Sequence, residues 1–204
     1  MNWLAHIFLS EQKIDFQLGN FLADPLKGRL WQGASEEFER GMESHKRIDA
    51  YTDSHKIVSL SKSRLRKKGL LKPVIIDLTY DYLLSKNWNL FSNISKDEFL
   101  KQFNANAKTR AYSLPPRPLE LVLNLVEADR LNRYNSLEQL KISFERIDTR
   151  LSSRLLAKEN AVGYFDKVEE IIDDIEEDFL IFFPQLCQHT KQELHNEYIS
   201  HWRG

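Results

Sequence analysis

Cysteine is nearly missing from this chain of 204 residues: Cys187 stands alone, so no internal disulfide can brace the fold and a thiolate-built metal site is excluded. Glycine and proline are scarce, seven and six, which argues against a turn-rich β architecture. No stretch approaches the roughly 20 apolar residues a spanning helix requires, and the opening "MNWLAHIFLSEQK" has neither the basic lead nor the apolar run of a secretory signal. A cytoplasmic protein without a membrane segment is the expectation. Excess charge is missing too. Lysine plus arginine number 29 against 30 aspartate plus glutamate, so no global field nominates nucleic acid or an anionic membrane as partner.

What remains is rich in Leu, Lys and Glu, and predicts an all-α, single-domain helical bundle over residues 1–204. "WLAHIFL" reads as a short helix. "LGNF" reads as a break, with a second short helix ending at "ADPLKG". Ser35 and the acidic residues after it open a helix expected to end near Thr52. "SLSKSRLRKKGLLK" is a basic amphipathic stretch, followed by an apolar helix over "VIIDLTYDYLLSKNW". Helices are expected around Lys96–Lys108, Leu119–Asn132, Ser136–Leu156 and Gly163–Phe183, the last stopped by Pro184. Its acidic face is a solvated one, with Val168, Ile171, Ile172 and Ile175 inward. His189, His195, His201 and Trp202 fall in a polar, frayed tail.

Polar residues four apart share a helix face. Asn2 and His6, His45 and Asp49, Asp49 and Asp53, and Asp77 and Asp81 are such pairs, all early in the chain. Any one of them can be a solvated face. Carboxylates inside an apolar helix, as at Asp77 and Asp81, are costly to bury unless a cation or hydrogen bonds offset them. Imidazole and carboxylate donors without a thiol suit Mn²⁺, Fe²⁺ or Mg²⁺ better than a thiolate-rich structural zinc. Asp24 joins the candidates from its corner at "FLADPLKG".

"MNWLAHIFLS", "GNFLADPLKG", "HKRIDAYTDSH" and "VIIDLTYDYLLSKNW" resemble, in order and approximate spacing, the signature blocks of the acyl carrier protein phosphodiesterase family, an atypical branch of the HD-type metal-dependent phosphohydrolases. The resemblance covers residues 1 to about 88 and implies an HD-like fold and hydrolysis of the bond joining 4′-phosphopantetheine to holo acyl carrier protein. The matched positions are Asn2, His6, Asp24, His45, Arg47, Asp49, Thr52, Asp53, His55, Asp77 and Asp81. His6, Asp24, His45, Asp49, Asp77 and Asp81 are then expected around the metal. Arg47 is expected to orient the phosphate, and Asp53 or His55 to move a proton. The family's usual Asp-His reads Asp81-Tyr82 here. The family's proline after His55 is Lys56, and an aromatic is replaced by Pro25. Carrier proteins are acidic beside their modified serine, so Arg64, Arg66, Lys67 and Lys68 are expected to steer the partner, with Asn2 also on the substrate side. Two rivals share the pattern. One is an HD-like hydrolase of a nucleotide or another phosphate ester; the other is a carrier-binding homologue without turnover.

Overall fold

The computed structural model describes residues 1–203. It contains twelve α-helices: α1 (Trp3–Phe8), α2 (Ile14–Leu22), α3 (Glu36–Ser54), α4 (Lys56–Leu65), α5 (Lys72–Lys86), α6 (Trp88–Phe91), α7 (Lys96–Ala111), α8 (Pro116–Glu127), α9 (Leu137–Asp148), α10 (Ser153–Leu156), α11 (Phe165–Glu170) and α12 (Ile172–Lys191). The only β pairing among the described residues is an isolated bridge between Ser92 and Trp202. The all-α expectation holds. One apolar core runs through nearly every helix, from Leu4 and Phe8 of α1 through Tyr80 and Leu83 of α5 to Phe179, Phe182 and Phe183 of α12.

Gly19 and Asn20 do not break a helix. They lie within α2, and the glycine is there for packing. A Cβ on Gly19 would stand 2.9 Å from the Cα of Phe38 and closer to its carbonyl oxygen. One on Gly41 would stand 2.9 Å from the amide nitrogen of Asn20 and closer to the oxygen of Phe16. Each glycine therefore lets the other helix's backbone approach, and the α2–α3 crossing brings Asn20 against His45. The conformational cost of glycine in a helix, ~1 kcal/mol, is outweighed by that contact.

Four further expectations are corrected. Pro184 sits inside α12, because Phe179, Phe182, Phe183 and Leu186 continue one buried face across it and that burial outweighs the lost hydrogen bond. The expected long helix from Gly163 divides at Ile171, and that from Ser136 divides after Asp148. The C-terminal segment is not frayed. His201 is buried, its Nε2 lies 2.8 Å from the carbonyl oxygen of Phe8, and the Trp202 indole donates to that same oxygen at 2.9 Å. A backbone bond from the Arg203 amide to the Phe91 oxygen at 2.7 Å completes the attachment. No helix is long and apolar enough to cross a membrane among the described residues.

Candidate metal centre

α1 is short and its own N-cap, Asn2, makes no side-chain capping bond. Asp81 of α5 supplies the cap: its Oδ2 accepts from the Leu4 amide at 2.8 Å and its Oδ1 from the Ala5 amide at 3.2 Å. Burial pushes this carboxyl up to about 7 although both amides pull it down. With its oxygens engaged, Asp81 fixes the helix that carries His6 rather than presenting a free ligand atom. This corrects its expected place among the ligands.

His6 and His45 stack face to face, ring centroids 4.0 Å apart and 16° from parallel. Their side chains are 1% and 5% exposed. Both Nδ1 atoms meet one acceptor, Oδ1 of Asn20, at 2.9 Å and 3.2 Å. The Asn20 amide is oriented by its other end, where Nδ2 donates to the His6 carbonyl at 3.1 Å and to Ser10 Oγ at 3.0 Å. An acceptor facing both rings places the proton on each Nδ1 and leaves each Nε2 with its lone pair outward. Those two Nε2 atoms are buried and lack a hydrogen-bond partner. They point at carboxylates: His6 Nε2 lies 3.2 Å from Asp49 Oδ1, and His45 Nε2 lies 3.1 Å from Asp49 Oδ2 and 3.2 Å from Asp24 Oδ1.

Lone pairs of neutral imidazoles aimed at carboxylate oxygens repel unless a cation lies between them. Without a metal, the cluster meets that requirement with protons. Burial alone would lower His45, but the Asp24 and Asp49 carboxylates beside it outweigh that and raise the ring to about 9. Burial and the neighbouring charge of His45 hold His6 below its ordinary value. Burial would raise Asp49, but both histidines and the Met1 ammonium drive it far down, and His45 holds Asp24 below its ordinary value. The Met1 ammonium itself lies 3.5 Å from Asp49 Oδ1 and 3.1 Å from Asp77 Oδ1. His6, His45 and Asp49 have ligand atoms within 4.8 Å of one another, so they can hold one ion. Two orphaned Nε2 lone pairs facing carboxylates are the donor set a divalent cation fits.

Other expected site residues lie elsewhere. Arg47 follows His45 by two positions, about 200° round the helix, and pairs with Glu193 in a recess of about 430 Å³ lined by α3 and the end of α12. It does not face the cluster. Asp53 pairs with Lys62 at 3.1 Å, and His55 caps α4 by accepting from the Ile57 amide at 3.3 Å; neither reaches the cluster. Tyr82 is buried, and the charges acting on it are those of Lys86 and Glu176. Neither of these groups belongs to the histidine cluster. Asn2 donates to the Tyr134 hydroxyl at 2.6 Å. Asn20, the shared acceptor, was missed: a lone amide in an apolar helix carries no periodic signal, though its place one turn beyond Phe16 on the face crossing α3 is what brings it to the histidines.

The profile of the family described as acyl carrier protein phosphodiesterase matches residues 1–186. The chain belongs to that family. Relatives bearing this name include one from Photorhabdus laumondii, 26% identical over 195 residues, 95% of this chain and 96% of the relative. Another, from Escherichia coli O45:K1, is 26% identical over 198 residues, covering 95% and 99% of the two chains. One from Yersinia pestis is 25% identical over 195 residues, again 95% and 99%. No solved structure matches. Family membership extends the resemblance of the first 88 residues into α12, whose Phe182 packs against His55 and Tyr80.

Proposed function

We propose that this chain is a metal-dependent phosphodiesterase that hydrolyses the 4′-phosphopantetheine arm from holo acyl carrier protein, giving apo carrier protein and free 4′-phosphopantetheine. The observation that carries the metal reading is the pair of buried, unpartnered Nε2 atoms converging on Asp49; family membership carries the substrate. His6, His45 and Asp49 would hold the ion, Mn²⁺ by preference, in an HD-like arrangement that joins a histidine and an aspartate one turn apart on α3. When bound, it supplies positive charge for the phosphoryl oxygens and acidifies water beside them.

The chain's own residues do the rest. Asn20 Oδ1 keeps the proton of each imidazole on Nδ1, so both rings stay neutral donors. Asp77, 28% exposed and bound to the Met1 ammonium, contributes negative charge beside Asp49. Asp24, 75% exposed beside His45, is the carboxylate at the solvent mouth and receives the proton of the attacking water at Oδ1. Water oxygen bonds to phosphorus, the bond from phosphorus to the serine oxygen breaks, and the leaving serine oxygen takes up the proton that Asp24 received.

Partner docking falls to fewer residues than the sequence suggests. Arg64 is committed internally, gripping the buried Asp178 carboxylate through Nε at 2.9 Å and Nη2 at 3.2 Å. Arg66 covers the Tyr164 ring at 4.0 Å and donates to the Gly163 carbonyl. Lys67 and Lys68 remain free beside Lys72 and Lys158 on the loop after α4, where an acidic carrier helix would meet them. The lone thiol, Cys187, is half-buried, and desolvation raises it to about 12, a state suited to the cytoplasm, where we place the reaction. Incubation with holo acyl carrier protein and Mn²⁺, read by intact mass, should show loss of the whole arm, and Asp49→Asn should abolish it. An unchanged carrier with every divalent ion refutes the proposal.

A further inference from the structure

Met1 reaches the histidine cluster, but its neighbour Asn2 lines a separate recess of about 150 Å³ between α5, α9 and the turn at Arg130–Asn132. Four arginines, Arg130, Arg133, Arg146 and Arg150, converge on it. Five other arginines, Arg40, Arg47, Arg64, Arg110 and Arg117, each hold a carboxylate. Among the described residues these four pair with none. The nearest acidic groups are engaged otherwise. Asp129 accepts from the Asn132 amide at 3.2 Å, and Asp148 accepts from the backbone amides of Ala161 at 2.5 Å and Val162 at 3.1 Å.

Two donors in the cluster, Arg130 Nε and Arg146 Nη1, are buried and have no acceptor. Arginine N–H groups are obligate donors, and a buried one without a partner is costly. Burial and then the charges of its three neighbours hold Arg130 below its ordinary value, and Arg133 is lowered in the same way, with Asp129 opposing. An oxyanion would satisfy these donors and offset their charge, since planar forks match tetrahedral oxygens two at a time. Its shape narrows the class. The recess is small, with Val74, Leu78 and Ile147 as apolar walls, which suits a compact anion rather than a polymer backbone or an extended helix. Asn2 and Tyr134, joined at 2.6 Å, provide a polar wall on the side of the metal centre.

We propose that the arginine recess binds a phosphate-class oxyanion, supplied either as inorganic phosphate or as the phosphomonoester end of an organic molecule. The inference stands on the recess alone and does not depend on the hydrolytic reading. The test is calorimetric titration of the full chain, in EDTA and a buffer free of phosphate and sulfate, with sodium phosphate and separately with glycerol 3-phosphate. Saturable binding is expected, weakened by at least about tenfold in Arg146→Gln/Arg150→Gln, the loss of charge-assisted bonds. Arg117→Gln, at the start of α8 and paired with Glu120 outside the recess, should leave it unchanged. Phosphate should also raise the melting temperature of the parent chain but not of the double variant. Arg150→Gln alone, at an exposed position, repeats the titration if the double variant fails to fold. Equal affinity for both probes assigns inorganic phosphate as sufficient; tighter binding of glycerol 3-phosphate assigns the organic source. No saturable heat with either probe, unchanged affinity in the variants, or binding of succinate but not phosphate overturns the proposal.

Discussion

Replacing Asn20 with alanine should weaken Mn²⁺ binding although Asn20 would not touch the ion. Its Oδ1 is the only acceptor the structure gives to His6 Nδ1 and His45 Nδ1. Without it, both rings can carry their proton on Nε2 instead, in the position a metal needs. Removing such an outer partner of a ligating histidine typically costs about 10- to 100-fold in affinity, or ~1.4–2.8 kcal/mol; two rings share this one, so the upper end is expected. The same change leaves two buried N–H groups without an acceptor, at ~1–3 kcal/mol each, and stability should fall by a comparable amount. Ser10→Ala removes only one of the two acceptors that orient the amide, and its effect should be smaller in both measurements. Titration calorimetry with Mn²⁺ and urea unfolding of the metal-free protein give the two numbers. If Asn20→Ala binds Mn²⁺ within about threefold of the parent while Asp49→Asn loses binding, the tautomer argument is wrong. If Asp49→Asn also binds normally, the metal is held elsewhere.

Gly41→Ala should be far worse than the helix propensity of alanine implies: the new Cβ would be 2.9 Å from the Asn20 nitrogen, and separating α2 from α3 costs core packing of several kcal/mol, about 3 or more, read as a lower urea midpoint. Arg47→Ala should leave kcat/KM for carrier hydrolysis unchanged, because its partner is Glu193, just beyond α12; stability should fall by less than ~1 kcal/mol. A large drop in kcat would restore the arginine to the active site. His201 is held at about 4 in the fold, chiefly by burial, against 6.5 when unfolded. The unfolded chain therefore binds the extra proton first, and stability present above 6.5 is lost as pH falls toward 4. At ~1.36 kcal/mol per pH unit, that window is worth ~3 kcal/mol, and the difference between parent and His201→Gln in urea titrations should track it. Parallel stability curves for the two would sink this account.

Local pattern made the helical class and several element positions readable, since a helix repeats every 3.6 residues whatever surrounds it. The His45–Asp49 pair was legible for the same reason, and the 200° step to Arg47 was there to be used against its assignment. The linear spacing of polar residues could not separate Asp49, which meets both histidines, from Asp81, which caps α1, or Asp53, which meets Lys62. Each is an aspartate at helical spacing; only the partner across the fold distinguishes them. Gly19 was misread as a break and Pro184 as a stop because isolated propensity knows nothing of the α2–α3 crossing or of the face Phe179 and Leu186 bury.

The sequence by itself determined an all-α chain, its near-neutral charge, the absence of a disulfide, and the residues that resemble one hydrolase family. Only the tertiary structure decided that Asn20 fixes both imidazoles, that Arg47 and Arg64 are spent on internal pairs, and that four arginines scattered over residues 130–150 meet in one recess. The physical reason is range. Backbone hydrogen bonding and helix periodicity act within a few residues and can be read along the chain, whereas tautomers, ion pairs and pockets depend on groups tens of residues apart that only packing brings within a few ångströms.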